Sequence, residues 1–224
     1  MLQLKLYKGR WSDIMVGRAL LFAGLVAVAG YVVVTVVGAE MIPGYNHLSH
    51  PLSEMTAQGS ATKPALDRWF ILLDTMVIGF ASVMPASVCT QNDGVATYVQ
   101  RGAAFLALAG VLGIIMTLWF PMDGSILVTT VVGTLHEFIA AAIMVCSMLA
   151  ILLFGFGLRN SSEWGGFAFY SFATFAFAGS CSIVTAHAFL LGTDLQGAWQ
   201  RLTAGAILQW IFVVSLRALS APMD

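Results

Sequence analysis

Residues 44–59, GYNHLSHPLSEMTAQG, place two histidines, two serines and a glutamate inside a chain that is otherwise strongly apolar. Imidazoles and carboxylates ligate zinc, and three or four protein ligands with one open position generate a hydroxide able to attack an ester or amide. His47 and His50 stand three residues apart, so one helical turn over 45–50 would bring both rings to one side. Pro51 ends such a turn, Ser53 and Glu54 follow within reach, and Gly44 and Gly59 supply pliant ends. Elsewhere the residues of matching chemistry are Asp74, Asp123, His136, Glu137 and His187. A zinc set drawn from His47, His50, His136 and His187, with Asp123 beside it and Ser53 holding an oxyanion or water, is one reading. A single haem between His136 and His187 is another, histidine being a common axial ligand.

The elements that position these groups belong to a membrane protein. Of 224 residues, 59% are hydrophobic and 9% charged, and the mean hydropathy is +0.87, outside the range of soluble domains. Apolar windows long enough for a hydrocarbon core of about 30 Å number six, over 19–38, 70–90, 102–120, 138–156, 167–191 and 202–219. The expected fold is therefore an all-α, six-transmembrane helical bundle in one integral membrane domain, residues 1–224, with a long loop between helices 1 and 2. The first window exceeds the h-region of a signal peptide and is taken as an uncleaved helix. Thr62-Lys63-Pro64 pairs a cap-type residue with a first-turn proline, which starts helix 2 near residue 63.

Lysine and arginine counts set the orientation. One side holds Lys5, Lys8, Arg10, Arg18, Arg101, Arg159 and Arg217, and the other Lys63, Arg68 and Arg201, so both termini are expected in the cytoplasm and the protein as multi-pass in the cell membrane. All four histidines then fall at the outer side, with Glu40, Glu54, Asp67, Asp74, Asp123, Glu137 and Asp194; Asp13, Asp93, Glu163 and Asp224 remain inside. Charged groups inside a span are costly and normally face a partner, the bundle interior or water, which makes Asp74, His136, Glu137 and His187 candidates to converge beneath the loop. A net charge of -1 offers nothing to nucleic acid or to anionic lipid surfaces through a basic patch. Cys89, Cys146 and Cys181 lie in apolar runs and read as packing residues.

Three stretches then suggest a family. "HPLSEM" in the first loop, "WFPMDGS" after helix 3 and "TLHEFIAAAI" opening helix 4 resemble the domain of unknown function 998 family of prokaryotic membrane proteins, through Ser53, Glu54, Phe120, Pro121, Asp123 and His136. Met55-Thr56 stand where that family usually has a glycine after the Ser-acid pair. The chain is more distantly similar to six-helix autophagy-modulator and GPI-remodelling membrane proteins. Seven-helix hydrolases of the ceramidase type look chemically similar but carry a HxxxH pair that is absent here.

Three functional readings follow. The first is a pocket for a lipid-like or small amphiphilic ligand at the outer leaflet, walled by His47, His50, Ser53, Glu54, Asp74, Asp123, His136, Glu137 and His187, with Arg201 and interfacial aromatics lining an apolar cleft. The second is structural: Ser53-Glu54 and Asp123 as caps, His136 paired with Asp123, and small residues such as Gly102, Gly110, Gly113, Gly165, Gly166, Gly179 and Gly205 packing helices or assembling homo- or hetero-oligomers, as in an accessory subunit. The third is a metal-dependent hydrolase of a lipid ester or amide.

Overall fold

The computed structural model describes residues 2–88, 93–124, 129–159 and 161–220, with side chains of residues 2–13 and 93–95 left aside. Cys89, Asp224 and the side chains of Lys5, Lys8, Arg10, Asp13 and Asp93 lie outside the described residues. Six helices follow in order: α1 (Leu2–Glu40), α2 (Lys63–Val88), α3 (Asp93–Trp119), α4 (Val131–Leu158), α5 (Phe167–Leu191) and α6 (Gln196–Ser220), with a short 3-10 helix at Leu52–Thr56. All six are long and apolar enough to cross a membrane, and no strand occurs among the described residues.

Helix α2 begins at Lys63, as its cap signal predicts. Helices α1, α3, α4 and α6 run further than the apolar windows alone imply, α3 beginning at Asp93 and α6 at Gln196. Helix α1 continues back through the basic stretch to Leu2, and α4 starts at Val131 because Thr130 caps it, its hydroxyl accepting from the Gly133 N–H at 3.0 Å. His136 and Glu137 thus sit in the second turn of α4, just before the 138–156 apolar window.

Each helix packs on its chain neighbours, and α6 closes the ring against α1, as short connections between antiparallel helices require. The main core lies in the half of the bundle away from the 41–62 loop. There Phe80, Met84, Phe154, Trp164 and Trp210 are fully enclosed, and Phe154 meets Trp210 edge to face at 5.2 Å. Trp210 Nε1 donates to the buried Ser171 hydroxyl at 3.0 Å, so the one polar atom of that ring is satisfied. Several of the small residues are spent inside the monomer. Gly102 lets α3 approach the Ala150 carbonyl of α4, while Gly110 and Gly113 receive α2 at Asp74 and Ile78. Cys146 and Cys181 are free and buried.

Candidate functional site at the loop end

The 41–62 loop is a packed structure with two fastenings. Its apolar side chains Leu52 and Met55 turn inward onto α1 and α2, Ala57 is buried as well, and Met55 is 0% exposed; burying a side chain such as Met55 contributes roughly 1.5–3 kcal/mol. The predicted turn forms, closed by His50 N–H donating to the Asn46 carbonyl at 2.8 Å. Gly44 and Gly59 both take left-handed backbone, φ 77° and 86°, which explains glycine at each end.

The first fastening is Arg201, from the opening turns of α6. Its Nη1 donates to the carbonyls of His47 (2.7 Å), His50 (2.8 Å) and Gly197 (3.0 Å), and its Nη2 to the Tyr45 hydroxyl at 2.6 Å. Tyr45 passes its own hydrogen to the Pro51 carbonyl at 2.9 Å. Gln200 accepts from Leu52 N–H at 2.7 Å, and Ala198 N–H donates to the Leu48 carbonyl at 2.8 Å. Burial raises the Tyr45 phenol above its ordinary value, and Arg201 opposes the rise.

The second fastening is the 120–124 segment between α3 and α4. Ser53 Oγ contacts Met122 Sδ at 3.2 Å, and Gln58 N–H donates to the Met122 carbonyl at 2.8 Å. Asp123 accepts from Thr130 twice, from the hydroxyl at 2.6 Å and from N–H at 2.9 Å, and these bonds hold its carboxyl below the ordinary range. His136 is 4% exposed and its Nδ1 lies 2.8 Å from the Phe120 carbonyl. A carbonyl only accepts, so the hydrogen is on Nδ1, and in a neutral ring Nε2 carries the lone pair.

Ser53, Asp123 and His136 are therefore gathered at the 120–124 segment, and His47, His50 and Glu54 at Tyr45 and Arg201. Both histidine rings stand edge-on to Tyr45, and His50 Nδ1 is 4.0 Å from Glu54. Other expected members lie elsewhere. The Asp74 carboxyl faces α3 and abuts Gly113, close enough that a methyl there would overlap it. Glu137 and His187 are exposed on α4 and α5, their helical phase turning them out of the bundle. The Phe120 carbonyl, not Asp123, is the hydrogen-bond partner of His136. Among the described residues, no three histidine, cysteine, aspartate or glutamate side chains lie close enough together to hold a metal ion. Among the described residues the hydrogen-bond partner of the Ser53 hydroxyl is Met122 and not a histidine.

A feature with only partial sequence signal is a groove of about 210 Å³ between α1 and α6 under the loop. Val32, Val36 and Leu208 make its apolar wall; Tyr31, Thr35, His47 and Arg201 give the polar groups. Tyr31 and Thr35 are invisible to charge counting because they sit inside the apolar run of α1. Their four-residue spacing, one face of a helix, is the only hint.

No curated protein and no solved structure matches the chain. The family model described as "Protein of unknown function (DUF998)" matches residues 25–217, a span that takes in both fastenings and the groove. The chain belongs to the DUF998 family of membrane proteins.

Proposed function

We propose that this protein lies in the cell membrane with both termini cytoplasmic, and binds a lipid-like amphiphile at the outer leaflet, in the groove between α1 and α6 beneath the loop. The observation that carries the reading is the groove's division: an aliphatic wall of Val32, Val36 and Leu208 below, and Arg201 with His47 at the loop end. Ligand sites combine an apolar body with a few placed polar groups, and an amphiphile matches that division. The orientation rests on the positive-inside bias. In support of the loop as a roof, its backbone is bonded to α6 and to the α3–α4 connection.

Mass spectrometry of protein purified in mild detergent tests this. A co-purifying amphiphile that is displaced when Gly205 in the groove is replaced by phenylalanine supports it; protein that carries only detergent, by every extraction, sinks it. A second reading, an accessory subunit, has its own observation. Glu137 and His187 are polar groups exposed on membrane-spanning helices, which a helix of another chain would cover. Cross-linking from cysteines at 137 and 187 in membranes distinguishes a neighbouring chain from lipid alone.

A further inference from the structure

We infer that the groove selects a membrane phospholipid with an anionic headgroup, its phosphate at Arg201 and the start of one chain lying across Gly205. The inference rests on the groove being an amphiphile site and adds the class of amphiphile.

The charge of Arg201 is the first support. It is partly buried, and every acceptor it uses is neutral: three backbone carbonyls and the Tyr45 hydroxyl. The ion pairs among the described residues are His50–Glu54 and Lys63–Asp67, so Arg201 has no carboxylate in contact. Buried charge is normally paired. No hydrogen bond among the described residues uses its Nε–H, Arg201 lines the groove, and a guanidinium with a spare donor suits phosphate.

Gly205 is the second. It sits in the interior of α6, where glycine is disfavoured relative to alanine. Glycine inside a helix usually admits a neighbour, as Gly102 admits α4. At Gly205 a Cβ would meet no protein atom within 4 Å, although the residue lines the groove. No contact among the described residues requires the missing side chain, and the open space beside it would admit a hydrocarbon chain crossing the helix.

Size is the third. A cavity of about 210 Å³ falls short of the roughly 300–1,000 Å³ that encloses a drug-sized ligand. Only part of the molecule can be held, so the remainder must have another apolar home. A lipid whose chains stay in the bilayer meets that condition, and a detached soluble amphiphile does not.

The test uses full-length protein in mild detergent, titrated with phosphatidylglycerol or a neutral, phosphate-free monogalactosyl diacylglycerol of matched chains and followed by native mass spectrometry, with melting recorded for each variant. Phosphatidylglycerol should bind about tenfold more tightly, the scale of one charge-assisted contact. Arg201→Gln should reduce that preference to within about twofold. Gly205→Phe should weaken both lipids by about tenfold or more without lowering the melting of the lipid-free protein. Equal affinity for the two lipids in the wild-type protein, with both still lost in Gly205→Phe, overturns the headgroup assignment and leaves the amphiphile groove standing. Binding that ignores Gly205→Phe, or no binding of either lipid, overturns both. Should Arg201→Gln loosen the loop, the wild-type lipid comparison and Gly205→Phe still decide.

Discussion

Replacing Gly197 by alanine puts a methyl group where two loop carbonyls now lie. The added Cβ would overlap the His50 carbonyl oxygen and stand 2.8 Å from that of His47 and 2.9 Å from Arg201 Nη1. All but the last are backbone atoms, so the loop must move off α6 and weaken its grip. Three hydrogen bonds are at stake: Arg201 to His47 and to His50, and Ala198 N–H to the Leu48 carbonyl. At about 1.5 kcal/mol for each charge-assisted bond and about 1 kcal/mol for the neutral one, the loss is about 4 kcal/mol. Alanine returns at most about 1 kcal/mol of helix propensity, leaving a net destabilisation of about 3 kcal/mol. Gly205→Ala, eight residues along the same helix with nothing near its Cβ, should have the opposite sign and gain up to about 1 kcal/mol. Melting in detergent measures the difference, and hydrogen exchange over residues 44–60 locates it: Gly197→Ala should expose the loop while α2 and α6 stay protected. Equal melting of the two variants, or a Gly197→Ala loop as protected as the wild type, refutes the view that this close approach holds the loop down.

Two further outcomes follow from named contacts. The Asp123 carboxyl is held below its ordinary value by Thr130, so its stabilising bonds are complete above the unfolded value of 3.8 and are lost as pH falls below it. Proteolysis or hydrogen exchange at the α3–α4 connection should therefore increase in acid, and Asp123→Asn should flatten that dependence. Trp210→Phe removes the donor to Ser171, a hydroxyl with 0% exposure, and should cost about 1–3 kcal/mol in thermal melting; no loss would mean that the bond contributes little.

Much of the scaffold was legible because lipid demands long uninterrupted apolar helices, and that demand is written in composition. The start of α2 at Lys63, the turn before Pro51 and the bends at Gly44 and Gly59 were equally local, set by caps, proline and glycine. The starts of α1, α3, α4 and α6 were not, because a helix outlasts the hydrocarbon it crosses wherever a cap such as Thr130 or a helix-forming stretch allows.

The candidate site divides the same way. The family resemblance grouped Ser53, Asp123 and His136; in the fold Ser53 contacts Met122, Asp123 bonds Thr130 and His136 bonds the Phe120 carbonyl, each at or beside residues 120–124. Which way Asp74, Glu137 and His187 face was decided only by packing. One residue of rotation moves a side chain by about 100° around its helix, and hydropathy is nearly blind to phase when most of the circumference is apolar. Gly113 gives the space that takes Asp74 toward α3, while Glu137 and His187 stay exposed on α4 and α5. The division between Arg201 as a clamp on the loop and Arg201 as a charge at the mouth of a groove likewise exists only once α1 and α6, opposite ends of the chain, close the ring. Partition into lipid is a property of each segment alone and can be read from it; the facing of one segment toward another is a property of pairs, and only the folded bundle supplies the pairs.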